Sequence, residues 1–182
     1  RPKSSAASDV YKRQRQYQLY VTTTLNSLMK TELNLHDRSL TLHRFPKRAN
    51  ETLQAWDAGD EYLINHVEEL DLPTNQNILI INDSFGALAC WFSEKHNVTS
   101  ISDSFVSQRG AQLNLENNHC NSVTFDSTIS EISNQTDIVL LQLPKSNRHL
   151  VWLLSQLRKT LPVSCPICLL YTSPSPRDGR ES

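Results

Sequence analysis

The sequence predicts an α/β protein built on a parallel, doubly wound sheet, and three observations carry that expectation. Asn77-Ile-Leu-Ile-Ile81 and Asp137-Ile-Val-Leu-Leu-Gln-Leu143 are short, nearly continuous apolar runs of the kind found in strands buried on both faces. Around them, strand-like and helix-like stretches alternate with short links, and each crossover between parallel strands must pack on a face of the sheet. The length of 182 residues, with 38% hydrophobic content, suffices for one ordinary core and does not call for two complete domains.

Taken in order, residues 25–35 read as a helical or irregular lead. Ser39-Leu-Thr-Leu-His-Arg-Phe45 then alternates Leu40, Leu42 and, less regularly, Phe45, as a short strand closed by Pro46. Residues 57–70 read as a helix, because Leu63, His66, Val67 and Leu70 fall on one face while Asp60 and Glu61 suit its positive N-terminal end. Trp56 and Tyr62 are assigned to packing between this leading helix and the sheet. This short strand and helix form an N-terminal extension to the alternating part.

From residue 77 the expected series is a strand over 77–81, a helix over 86–95, a strand over 98–102 and a helix over about 104–117. A strand over 122–125, a short helix near 127–132 and a strand over 137–143 follow. The last helix, capped by Ser146 or Asn147, sets Leu150, Leu153, Leu154, Leu157 and Leu161 on one stripe. Four central strands are therefore expected. Pro162 intervenes and a polar tail follows, so the sheet reads as truncated, with an unpaired edge and apolar faces that predict poor solubility.

The net charge of −1 is unevenly distributed, because the ends are basic and residues 15–167 hold 12 Lys/Arg against 16 Asp/Glu. Such a body is no general polyanion binder, and any contact with nucleic acid must rest on a local basic patch. Residues 1–14 and the tail from about 168 to 182 are polar, lack periodicity and resemble translated sequencing-adaptor read-through. The alternative is a pair of native disordered tails. The domain is accordingly placed at 15–167, with its C-terminal junction anywhere near 165–169. No run of 18 apolar residues and no N-terminal h-region occurs, so no membrane span or secretory signal is expected and the default location is cytoplasmic. Cys90, Cys120, Cys165 and Cys168 suit reduced thiols better than a disulfide framework. Cys165-Pro-Ile-Cys168 has the spacing of half a zinc site with no second pair to complete it, and no metal site is expected.

Ligands of open α/β sheets bind beyond the carboxyl ends of the strands, so the turns after residues 81, 102, 125 and 143 are the places to look for a site. Ile78-Leu-Ile-Ile-Asn-Asp-Ser-Phe-Gly-Ala-Leu88 resembles the first motif of class I S-adenosylmethionine-dependent methyltransferases, a strand ending in an acid and then G-x-G-x-G. With Gly86 at the third glycine, Ile80 stands at the strand acid, Asn82 at the first glycine and Ser84 at the second. One key position of four survives. Side chains at Asn82 and Ser84 make the loop bulkier, although Asn adopts the left-handed region at modest cost. Asp83 matches no motif position and is expected to be solvated or to cap the following helix. Asp103, ending the second strand, stands where a carboxylate holds the cofactor ribose in this superfamily; an exposed Asp acting as N-cap of the next helix explains it equally. Asp137-Ile-Val-Leu-Leu-Gln-Leu-Pro-Lys145 resembles the strand that ends in N-P-P-F/Y in amino-group methyltransferases. Here Gln142, Leu143 and Lys145 replace Asn, Pro and the aromatic, so no catalytic residue is assigned.

Further stretches make the resemblance specific: Thr22-Thr-Thr-Leu25, His43-Arg-Phe-Pro-Lys-Arg48, Ala55-Trp-Asp-Ala-Gly-Asp-Glu-Tyr-Leu63 and Leu143-Pro-Lys-Ser-Asn-Arg-His-Leu150. With the eroded loop, they resemble the N-terminal half of the bacterial large-subunit rRNA guanine-N2 methyltransferases of the G type, over roughly residues 21–165. That family is similar to the enzymes of the C type that act on small-subunit rRNA, and is built from two related methyltransferase folds. The resemblance implies an N-terminal copy that lacks an active site and assists folding and RNA binding. It also implies a C-terminal copy, not matched here, that binds S-adenosylmethionine and methylates guanine N2. No cofactor is then expected on this chain. Vestigial cofactor contacts at Gly86 and Asp103 are one alternative, and a Rossmann nucleotide-binding module unrelated to methylation is another.

Large-subunit rRNA is the partner so implied. Arg44, Lys47 and Arg48 bracket Phe45, while Lys145 and Arg148 lie at the start of the last helix, with His149, Arg158 and Lys159 further along it. These clusters suit phosphates, and Phe45 suits stacking on an unpaired base. The plain alternative is a set of solvated cations with Phe45 in the core.

Overall fold

The computed structural model describes residues 31–48, 51–127, 132–144 and 146–170. The chain runs β1 (Glu32–Leu35), β2 (Arg38–Thr41), α1 (Ala58–Glu69), β3 (Asn77–Ile81), α2 (Ala87–Phe92), β4 (Asn97–Ile101) and α3 (Phe105–Asn117). It continues through β5 (Thr124–Asp126), β6 (Ile138–Gln142), α4 (Asn147–Thr160) and β7 (Ile167–Leu170). The main sheet has the order β5-β4-β3-β6-β7 and every pairing in it is parallel.

The period-2 alternation of buried strands sorts their side chains onto two cores. Ile78 and Ile80 of β3, with Ile138 and Leu140 of β6, face one side, where α1, α2 and the β1–β2 hairpin cover them through Leu63, Leu88 and Leu33. Leu79, Ile81, Val139 and Leu141 face the other side and meet Leu153, Leu157 and Leu161 of α4. Both faces of the central strands are thus covered, which is why the two runs carry almost no polar residue.

Three expectations from the sequence are corrected. The part of the lead that is described is a strand, not helix or irregular chain: β1 pairs antiparallel with β2, with Leu33 opposite Leu40 and His36 at φ 49° in the turn. Two such short strands bury these leucines by pairing across the turn at His36 and Asp37, and four residues on each side are too few for periodicity to reveal either strand. The sheet has five strands rather than four, since β7 pairs with β6 over Val139–Gln142 and its Leu170 packs into the first core. The strand lies in the stretch assigned to the junction and tail, where two flanking prolines and a tail-like composition masked it. The buried face of α1 consists of Asp60, Leu63, Ile64 and Val67, whereas Leu70 is exposed and Tyr62, 66% exposed, does not pack on the sheet. Trp56 does pack as expected, buried with its Nε1 donating to Glu61 at 2.8 Å.

Asparagines fasten the hairpin to the body. Asn118 binds Thr41 through the backbone N–H at 2.7 Å and carbonyl at 2.8 Å. One helical turn earlier, Asn114 does the same for His43, at 2.9 Å in each direction. The i, i+4 spacing on α3 matches the i, i+2 spacing of an extended chain, so two amides imitate a strand pairing. The expected helix near 127–132 and the residues before 31 and after 170 lie wholly or mostly outside the described residues.

Candidate functional site at the carboxyl end of the sheet

A cavity of ≈400 Å³ opens where β3 and β4 end, lined by Asn82, Ser102, Asp103, His149, Trp152 and Gln156 among others. This is the position at which open α/β sheets take ligands. Its floor is the turn after β3. Asn82 adopts φ 66°, in the left-handed region, and donates its side-chain amide to the Gln142 carbonyl at 3.2 Å. The tolerance of Asn for this conformation is what lets it stand at a glycine position.

Asp83 is not solvated. It is 3% exposed and accepts from the backbone N–H of Gly86 at 3.1 Å and of Ala89 at 2.9 Å. It caps the start of α2 from within, so the donors there that would otherwise face an anion are already engaged. Burial pushes its carboxyl up to about 6, with the backbone N–H groups opposing that shift. Gly86 keeps its place for two reasons of packing. Its φ is 83°, and a Cβ there would lie 2.7 Å from the Cα and Cβ of Ala111 on α3. The surviving glycine therefore lets α2 and α3 approach each other.

At the end of β6, Gln142 is buried and its side-chain amide donates to the carboxylate of Asp60 on α1. Asp60 is the third residue of a reciprocal capping box with Asp57, whose N–H donates back to it at 2.9 Å. Burial first, and the charge of Asp83 second, raise the Asp60 carboxyl well above the usual range. The Asp60–Gln142 link was not foreseen; the Asp57-x-x-Asp60 spacing was its one signal in the sequence.

Asp103 is exposed on the cavity rim, and the cap of α3 is Ser104, whose hydroxyl accepts from Ser107 N–H at 3.3 Å. The N-cap alternative for Asp103 therefore falls. The rim also carries His149 and Trp152, with ring centroids 5.9 Å apart and Trp152 49% exposed, two aromatics the sequence did not single out for this site.

The basic residues fall into separate states. Arg44 is half-buried, pairs with Glu51 at 3.7 Å and sits over the Phe85 ring at 4.9 Å. Phe45 is half-buried against α3, its Cβ 3.2 Å from where a Cβ on Gly110 would stand. Lys47, Arg48 and Arg148 are exposed, and Lys145 lies outside the described residues. Lys47 and Arg48 follow Phe45 and Pro46, whereas Arg148 stands on α4 beside the cavity-lining His149. Among the described residues no group of three or more His, Cys, Asp or Glu is placed to hold a metal ion, and no helix is long and apolar enough to cross a membrane.

The sheet order, the turn after β3 and the cavity beyond it define a class I methyltransferase fold, and solved structures agree. Ribosomal protein L11 methylase of Lactobacillus delbrueckii subsp. bulgaricus superposes with a TM-score of 0.57 at 13% identity, over 76% of this chain and 78% of that one. Phosphoethanolamine N-methyltransferase 1 of Haemonchus contortus does so at 0.52 and 17% identity, over 68% of this chain and 28% of that one. The chain belongs to the RLMG N-terminal domain family, whose model matches residues 30–171. It is 76% identical over 139 residues to ribosomal RNA large subunit methyltransferase G of Vibrio campbellii, covering 76% of this chain and 36% of that protein. The protein of the same name from Vibrio vulnificus is 65% identical, again over 76% of this chain and with 37% of its own length matched. The chain thus spans little more than a third of the curated relatives it matches.

Proposed function

We propose that this chain is the N-terminal part of an S-adenosylmethionine-dependent rRNA (guanine-N2) methyltransferase that binds and positions large-subunit rRNA and carries out no methyl transfer itself. The observation that carries this reading is the state of the two motif positions. The Asn82 amide donates to the Gln142 carbonyl at the end of β6, and the Gln142 amide donates to the carboxylate of Asp60 on α1. An amide so engaged in the interior is not presented to a target amine. On this reading the cofactor is bound and the chemistry done by a C-terminal domain, which is also a partner of this one, in the cytoplasm. Exposed Lys47, Arg48 and Arg148 supply phosphate contacts, and Lys145 is assigned with them from the sequence. Arg44 supports the Phe45 loop through Glu51 and Phe85 while its remaining donors face the backbone of RNA.

The test is binding of deproteinised large-subunit rRNA to the chain by filter retention, with Lys47→Ala/Arg48→Ala as comparison. Retention weakened by the substitutions supports the reading, and equal retention by both forms removes it. A second reading, residual S-adenosylmethionine binding, draws on Asp103 at the cavity rim. Equilibrium dialysis of the chain and of Asp103→Ala separates the two: binding by the first and not the second would establish it. The adaptor-like ends, residues 1–14 and from about 168, are proposed to be non-native. Mass spectrometry of the protein expressed from its natural locus tests this, and Leu169 and Leu170 serve as the sheet-forming residues to check.

A further inference from the structure

We propose that Cys90 and Cys120 form a peroxide-sensitive thiol pair that closes to a disulfide joining α2 to the loop after α3. Cys90 lies in α2 and is fully buried, whereas Cys120 is half-buried and open to a small oxidant. The Cys120 thiol donates to the Cys90 carbonyl oxygen at 3.6 Å, which brings the second sulfur onto the residue that carries the first. The loop that carries Cys120 is held in place on both sides. Before it, His119 turns the chain at φ 52° and Cys120 N–H donates to the Leu115 carbonyl at 3.0 Å. After it, the Asn121 amide donates to the carbonyls of Ser93 at 2.9 Å and Glu94 at 3.3 Å, the residues that follow α2.

The surroundings give the two sulfurs different roles. The hydrogen bond from the Cys90 thiol, with help from the nearby Arg38 and Ser93, holds the Cys120 thiol down to about 7, against burial and the charge of Glu94. The same hydrogen bond and burial push the Cys90 thiol up. Arg38 is fixed there by donating to the carbonyls of Trp91 at 2.6 Å and Cys90 at 3.1 Å. A thiolate is the attacking species, so Cys120 reacts first and Cys90 resolves.

With hydrogen peroxide as oxidant, the Cys120 thiolate attacks one peroxide oxygen and the O–O bond breaks. Hydroxide leaves, takes the Cys90 proton and departs as water, and Cys120 becomes a sulfenic acid. The Cys90 thiolate then attacks the Cys120 sulfur and expels a second hydroxide. That hydroxide is neutralised by the proton Cys120 had released, so two thiols and one peroxide give one disulfide and two waters.

The test treats the 182-residue chain with equimolar hydrogen peroxide, blocks remaining thiols with iodoacetamide and maps peptides without reduction. Cys165 and Cys168, whose thiols burial holds above the ordinary range, serve as internal controls. The expected result is a cross-linked peptide pair holding Cys90 and Cys120, with Cys165 and Cys168 alkylated. In Cys90→Ser, Cys120 should stop at a sulfenic acid that dimedone captures. Recovery of Cys90 and Cys120 both alkylated, a bridge from either to Cys165 or Cys168, or oxidation of Cys120 to sulfinic acid without a bridge would each overturn the proposal. Because the peptide map of the unaltered chain decides between these, the test stands even where a variant fails to fold.

Discussion

Gln142 donates its side-chain amide to the buried carboxylate of Asp60, so the end of the central strand β6 is tied to the first turn of α1. Gln142 also accepts from Asn82 through its carbonyl, which links the ends of β3 and β6. Together the two bonds hold the ends of β3, β6 and α1 against one another. Substituting Gln142→Leu removes the donor and leaves a buried carboxylate oxygen unsatisfied, at an expected cost of about 1–3 kcal/mol in urea denaturation. A change below ~0.5 kcal/mol, the scatter of ordinary surface substitutions, would show the link to be dispensable.

The paired burial of Asp60 and Asp83 makes stability depend on pH. Both carboxyls hold their protons more tightly in the folded chain than in the unfolded one. The stabilisation due to Asp83 is therefore complete below its ordinary value of 3.8 and is lost as pH rises to about 6, and Asp60 acts in the same direction. Urea midpoints measured across that interval should fall with rising pH, and Asp60→Asn should flatten the fall by removing one charge of the pair. A rise over the same interval, or an unchanged slope in the variant, contradicts the assignment.

Gly86→Ala should destabilise strongly. The substitution places a Cβ 2.7 Å from backbone and side-chain atoms of Ala111 and puts an L-residue at φ 83°. Left-handed strain alone costs about 1–2 kcal/mol, and the separation of α2 from α3 adds to it, so a loss of at least ~2 kcal/mol is expected in thermal or urea melts. A variant that melts like the unaltered chain would contradict both the strain and the close approach of α2 to α3.

Asn114→Ala should release the segment that carries the basic cluster. Asn114 accepts from His43 N–H and donates to the carbonyls of His43 at 2.9 Å and Phe85 at 2.8 Å. Three lost bonds at about 1 kcal/mol each give roughly 3 kcal/mol. Hydrogen exchange over residues 42–48 should accelerate well beyond that of β6; uniform acceleration across the domain would mean global loosening only.

The basic cluster is tested through salt. If Lys47 and Arg48 each neutralise a phosphate, the double alanine variant should bind rRNA more weakly, and its log-affinity against log-salt slope should be shallower by about 0.7–0.9 per lost contact. Weakened binding with an unchanged slope would assign the loss to the fold of the loop and not to charge.

The sheet was legible because strands buried on both faces leave unmistakable apolar runs, and Leu153, Leu157 and Leu161 announced the helix covering one face. The departures from both motifs, at Ile80, Asn82, Ser84, Gln142, Leu143 and Lys145, could be read directly from residue types. Interactions between distant segments could not. The Asn114 and Asn118 clamps and the Asp60–Gln142 bond join residues separated by 71 to 82 positions, and no local pattern names both partners. Asp83 shows the limit within a single loop, since exposure and capping are equally compatible with an Asp before a helix and only the fold decides. His149 and Trp152 were hidden because a helix stripe reveals its buried leucines and not which polar-face residues meet a cavity.

The most direct test of the central claim is methyl transfer itself. The chain alone is incubated with labelled S-adenosylmethionine and deproteinised large-subunit rRNA, and incorporation is compared with that of a full-length relative such as the Vibrio campbellii protein. Retention of rRNA on the filter with no label above background is the predicted result; label incorporated by the chain alone would contradict the account.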